Sequence, residues 1–150
     1  MLEIGSQAPN PTIKTWPDYE GPIGKFWKDG PLILYFYPMD NTPVCTRQAC
    51  TLQDSIAEFG QFKANVLGSS TGSSKTHQGY AKKNSISFPL VADRGSKLAK
   101  AFDSNRFLVP ISKRITYVMA KGGKIIGRCH DEMDVEAHLA MIRETLDELK

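Results

Sequence analysis

The sequence predicts an α/β fold, a central mixed β-sheet with helices on both faces, and three observations carry the prediction. First, Leu32-Ile33-Leu34-Tyr35-Phe36-Tyr37 is a continuous apolar and aromatic run stopped by Pro38, as in a strand buried on both faces. Second, strand-like runs downstream of it alternate with segments of helical period. Third, Lys121-Gly122-Gly123-Lys124 reads as a hairpin turn, because adjacent glycines supply the positive φ angles of tight hairpins. An antiparallel return then joins strands that are otherwise linked by helices, and the sheet becomes mixed.

The elements follow in chain order. The first thirty residues are turn-rich, with Pro9, Pro11, Pro17, Gly21, Pro22 and Gly24 leaving room only for short strands such as Thr12 to Thr15. After the Leu32 strand, Thr42-Pro43 supplies an N-cap and a proline at the first helical position. Leu52, Ile56, Phe59 and Phe62 continue that helix at its spacing. Asn65 to Ser69 is a second strand, Ser73 to Asn84 a helix showing Tyr80 and Ala81 inward, and Phe88 to Ala92 a short extended segment. Gly95 to Phe102 forms a short helix, and Ile115 to Met119 is a strand of mostly β-branched and aromatic residues. Ile125 to Cys129 returns antiparallel, and Asp134 caps a final helix striped by Val135, Leu139, Ile142, Leu146 and Leu149. No linker, repeat or low-complexity tract divides residues 1–150, so one domain is expected.

Composition narrows the function classes. A net charge of +3 from 19 Lys+Arg and 16 Asp+Glu, spread along the chain, is not the clustered basic stripe of a nucleic-acid binder. No stretch approaches the ~20 apolar residues of a membrane span, and Met1 to Ser6 lacks the basic and apolar regions of an export signal. A cytoplasmic protein is the expectation. Three cysteines, an odd and low count, argue against a disulfide scaffold and for a reducing compartment.

With Thr42 as N-cap, Cys45 is at N3, where unpaired N–H groups and the positive end of the helix dipole favour a thiolate. Cys50 follows five residues later. In an ideal helix that spacing separates the Cα atoms by about 8.7 Å, against the ~7 Å limit of a disulfide. The spacing leaves two readings open: a redox pair that bonds only when the first turns open, or a Cys50 that packs beneath the helix with Ala49.

Pro38-Met39-Asp40-Asn41-Thr42-Pro43-Val44-Cys45 resembles the signature of the peroxiredoxins. Tyr35 to Cys50 is similar to the bacterioferritin comigratory protein, or peroxiredoxin Q, branch, as are Phe88 to Asp93 and Arg114 to Val118. The resemblance covers nearly the whole chain and implies a thioredoxin-like fold and a thiol peroxidase for hydrogen peroxide and organic hydroperoxides, with no cofactor or metal. It makes Cys45 the peroxidatic thiolate, Cys50 the resolving cysteine, and Thr42 the hydroxyl that hydrogen-bonds the peroxide. Pro38 becomes a shield over the pocket, Arg114 the arginine facing the thiolate, and Gln48 the residue that orients it. It also implies thioredoxin or a similar dithiol protein as reductant. Val44, Gln53 and Ala120 depart from residues common in the branch, and Val44 adds bulk beside the nucleophile.

The chemistry calls for these groups on its own terms. Lowering a thiol pKa from ≈ 8.5 to about 6 raises the thiolate fraction at pH 7 ~30-fold, yet lost nucleophilicity leaves a net gain of only ~2- to 3-fold. Speed must come from donors that stabilise charge as the O–O bond breaks: the Thr42 hydroxyl, the Val44 and Cys45 N–H groups, and the Arg114 fork. Such a pKa shift costs about 3.4 kcal/mol, beyond the ~2 a helix terminus supplies. A cation is needed, and Arg114, opening a buried strand, fits better than Arg47 on the helix surface.

Two other classes compete: a copper- or zinc-binding protein using Cys45, Cys50, His77, Cys129, His130 or His138, and a thiol redox sensor without rapid turnover. The three histidines fit surface or hydrogen-bonded roles, and Cys129 is expected in the core. Trp16, Trp27 and Phe107 either form a patch for a weak homodimer or fill the core of a monomer.

Overall fold

Side chains alternate across a strand, so the Leu32 run must feed two cores. In the computed structural model, which describes all 150 residues, it does: Ile33, Tyr35 and Tyr37 enter one buried cluster, and Leu32, Leu34 and Phe36 enter the other. Strands β1 (Thr12–Trp16), β2 (Tyr19–Pro22), β3 (Leu32–Phe36), β4 (Asn65–Ser70), β5 (Leu90–Ala92), β6 (Ile115–Met119) and β7 (Ile125–His130) form one sheet ordered β2-β1-β5-β4-β3-β6-β7. The β3·β4 and β4·β5 pairs are parallel and the other four antiparallel, giving the mixed sheet expected.

Helices α1 (Pro43–Asp54), α2 (Ile56–Gly60), α3 (Ser74–Asn84) and α5 (Val135–Asp147) contribute to the cluster on the Tyr35 face. The short α4 (Lys97–Ala101) and a 3-10 turn at Ile23–Trp27 cover the other face. Side chains cap two of the helices: Ser73 Oγ accepts from Thr76 N–H at 3.1 Å and Asp134 Oδ1 from Ala137 N–H at 3.1 Å. The hairpin turns on Gly122 and Gly123, with φ of 93° and 98°.

The fold departs from expectation in several places. The helix expected to run on through Phe62 breaks at Ser55, whose φ of −98° and ψ of 5° end α1 before α2 begins. Phe59 still reaches the core, with Ile56 and Phe62 packed half-buried against it. In the turn-rich stretch, by contrast, the expected short strands do form, β1 and β2 pairing antiparallel. Leu149, expected on the buried stripe, lies beyond α5 and is 45% exposed. Cys129 is half-buried on the edge strand β7 rather than in the core. Trp27 is buried, Trp16 half-buried and Phe107 87% exposed.

Candidate active site

The carboxyl end of β3 and the amino end of β6 meet at one edge of the sheet. Phe36 pairs with Ile115, so the next residues out, Tyr37 and Arg114, leave the ladder together. Chain order then carries Pro38 to Thr42 over that edge and into α1. The first α1 bond runs from Thr46 N–H to the Thr42 carbonyl, and the Thr42 side chain makes no cap bond. The N–H groups of Val44 and Cys45 therefore stand ahead of the helical ladder.

Cys45 is buried, and Arg114 is 4% exposed beside it. Three bonds fix the guanidinium: Nη2 donates to Cys45 Sγ at 3.2 Å, Nη1 to Gln48 Oε1 at 2.8 Å, and Nε to the Glu132 carbonyl at 2.9 Å. A fork with several donors in one plane can grip all three acceptors at once, which an ammonium cannot. Arg47 points away, donating to the Met133 carbonyl at 3.0 Å. Gln48 thus reaches Cys45 through Arg114, and its buried Nε2 has no partner.

Glu132 is a site residue that the sequence reading missed. Its carboxylate accepts from the Arg114 backbone N–H at 3.1 Å, from Arg106 Nη2, and bonds His130 Nε2 at 2.7 Å. Burial pushes this carboxyl up, but the bonds from His130, Arg114 and Arg106 outweigh it and hold it below its ordinary value. Nothing in its sequence neighbourhood singles it out; only the folding of β7 against β6 brings it to Arg114.

The Thr42 hydroxyl donates to the Met39 carbonyl at 2.8 Å, which commits its hydrogen and leaves its oxygen as an acceptor. Pro38 and Val44 are half-buried at the rim of the same edge. Cys50 is also half-buried, in the same unbroken helix as Cys45, so the two thiols cannot bond until α1 opens. Burial, with the charges of Asp131 and Asp134, pushes the Cys129 thiol up and makes it a poorer nucleophile at neutral pH.

The histidines divide. His77 and His138 are buried and hydrogen-bonded, and His130 is exposed against Glu132. No three His, Cys, Asp or Glu side chains are placed to hold a metal ion. The largest surface cavity, about 680 Å³ and lined by Pro31, Phe62, Lys63 and Lys121 among others, is at the opposite end of β3 from Cys45.

The chain is similar to known proteins over nearly its whole length. The AhpC/TSA family model matches residues 4–128. Chloroplastic peroxiredoxin Q of Sedum lineare is 35% identical over 147 residues, covering 97% of this chain and 78% of that protein. Peroxiredoxin Bcp of Bacillus subtilis is 31% identical over 161 aligned positions, covering 99% and 97%. The crystal structure of peroxidoxin BcpB from Mycobacterium tuberculosis superposes with a TM-score of 0.93 at 25% identity, over 100% of this chain and 99% of that one. The sheet and its helices are those of the thioredoxin-like peroxiredoxin fold, and peroxiredoxins act on peroxides with thioredoxin-like reductants. A buried thiol at a helix start and its cognate arginine sit in a chain that belongs to the AhpC/TSA family and is a thiol-dependent peroxidase of its peroxiredoxin Q and Bcp branch.

Proposed function

We propose that Cys45 is the peroxidatic thiolate and that it reduces hydrogen peroxide and organic hydroperoxides by in-line attack on one peroxide oxygen. The observation that carries this is the 3.2 Å contact of Arg114 Nη2 with the buried Cys45 Sγ at the first turn of α1. The sulfur takes one oxygen and becomes a sulfenic acid, and the other leaves as water or an alcohol once protonated. The Thr42 hydroxyl accepts the peroxide O–H, while Arg114 and the Val44 and Cys45 N–H groups meet the charge growing on the departing oxygen. Gln48 steadies Arg114, and Pro38 and Val44 shield the thiolate from water.

Cys50 then attacks the sulfenic sulfur, forming the Cys45–Cys50 disulfide and releasing water. That step needs α1 to unwind. A dithiol protein of the thioredoxin kind reduces the disulfide by thiol–disulfide exchange, in the cytoplasm, on a monomer or weak homodimer.

Stopped-flow oxidation of the reduced protein by hydrogen peroxide, with Cys45→Ser and Cys50→Ser alongside, tests the cycle. A second-order constant far above that of a free thiol, lost in Cys45→Ser, is expected. A constant no faster than a free thiol overturns the proposal. An intramolecular disulfide that persists in Cys50→Ser moves the resolving role to Cys129.

A further inference from the structure

Asp40 is the one buried residue of the segment from Pro38 to Thr42, and the chemistry above does not use it. Its carboxylate accepts from the Tyr37 hydroxyl at 2.6 Å and meets His77 Nδ1 at 2.7 Å, with both side chains of the Asp40–His77 pair at most 3% exposed. The other imidazole nitrogen, Nε2, is 2.9 Å from the Val91 carbonyl. A carbonyl only accepts, so Nε2 carries a hydrogen, and a second hydrogen between Nδ1 and the carboxyl makes the bond to Asp40. The imidazole of α3 thus ties the segment ahead of α1 to β5.

The surroundings leave the pair little freedom. A Cβ on Gly72 would come 2.9 Å from His77 Cε1 and 3.3 Å from Asp40 Oδ2, so only glycine lets the β4–α3 turn pack there. On the other side of Asp40 the chain holds Asn41 at φ 63°, in the left-handed region, which persists where neighbours fix it. The Thr42 hydroxyl takes its direction from the carbonyl of Met39, the residue next to Asp40.

We infer that Asp40 and His77 are a positioning pair for peroxide attack: the bond from His77 to Asp40 holds the Thr42 hydroxyl and the free N–H groups of α1 in register with Cys45. The pair also sets where α1 gives way. Opening of the helix proceeds between a pinned Asp40 and Cys50, so releasing the pin slows attack and does not slow disulfide formation. The inference rests on Cys45 being the peroxidatic residue.

Two amides divide the imidazole's bonds. Asparagine at 77 places a donor near the Nδ1 position, toward Asp40, and glutamine places one near Nε2, toward Val91. His77→Gln is expected to lower the second-order constant for attack about 10- to 100-fold with disulfide formation from the sulfenic acid as fast as before or faster. His77→Asn is expected to stay within about threefold of wild type in attack. The reverse ranking, or equal losses with a slower disulfide step, overturns the inference.

A second pair covers the case in which the His77 variants do not fold. Asp40→Asn donates to a neutral Nδ1 and keeps both bonds, so it should attack peroxide nearly as fast as wild type, whereas Asp40→Ala should resemble His77→Gln. Loss in Asp40→Asn equal to that in Asp40→Ala overturns positioning in favour of charge. Peroxide consumption that survives in Cys45→Ser would instead refute the Cys45 reading.

Discussion

Arg114 Nη2 donates to Cys45 Sγ at 3.2 Å across a span of 69 residues, joining the start of β6 to the first turn of α1. The cation is held by three bonds, so its value lies in direction as well as charge. Arg114→Ala should slow peroxide attack about a hundredfold or more, and Arg114→Lys should recover little, since an ammonium cannot serve Cys45, Gln48 and Glu132 together. Stopped-flow rates set beside melting temperatures check this; a parallel loss of both would make Arg114 structural.

Glu132 should act through Arg114. Glu132→Ala removes the anchor of the Arg114 backbone N–H and of Arg106, and should reduce the attack constant about tenfold. Its effect should be largely absent in an Arg114→Ala background, a non-additivity that a double-mutant cycle reads directly.

Thr42 offers a sharp contrast of isosteres. Thr42→Val keeps the shape and removes the hydroxyl, and should cost about 10- to 100-fold in attack. Thr42→Ser keeps the acceptor and should lie near wild type. Equal rates for Val and Ser would remove the hydroxyl from the mechanism.

Oxidation should be visible as lost helix. One equivalent of hydrogen peroxide should reduce far-UV helical signal and speed amide exchange over residues 43–50, because the disulfide cannot span an intact α1. In Cys50→Ser the sulfenic acid should form with the helical signal unchanged.

How much of this was legible beforehand depended on where the information lies. The β6 strand, the glycine hairpin and the cap of α5 were readable because local pattern decides each of them. The break at Ser55 was not, since Ile56 and Phe59 keep the helical period across it. The roles of Cys50, Thr42 and Arg114 came into view through the resemblance to the peroxiredoxins, since spacing leaves Cys50 open and a strand-opening arginine is ordinarily solvated. Glu132 was invisible because only the fold brings its carboxylate to Arg114 and Arg106, 18 and 26 residues away. His77 left a trace: it falls three and four residues before Tyr80 and Ala81, on the face already read as inward, and an inward histidine in a helix needs a partner.

His138 gives the pH dependence. Its Nε2 donates to the Asp131 carbonyl at 2.8 Å and its Nδ1 shares a 2.8 Å bond with the Thr116 hydroxyl, which can donate to a neutral imidazole. Burial lowers its pKa below the ordinary value of 6.5. The unfolded chain then binds the extra proton first, and stability should fall as pH drops below about 6.5. Denaturant unfolding at pH 7.5 and 5.5 should show a larger drop for wild type than for His138→Gln; equal drops would assign the acid sensitivity elsewhere.

The register of β3 on β6 has a consequence for the folding chain. Shifting that pairing by one residue would move Arg114 about 3.3 Å along the strand and turn it to the opposite face. Cys45, by contrast, sits on α1, whose backbone bonds are all local in sequence. A nascent or misfolded chain can therefore carry Cys45 with no cation against it, and the Arg114 contact arrives only when the β3·β6 ladder has closed. The thiol is in effect disarmed until the molecule is complete.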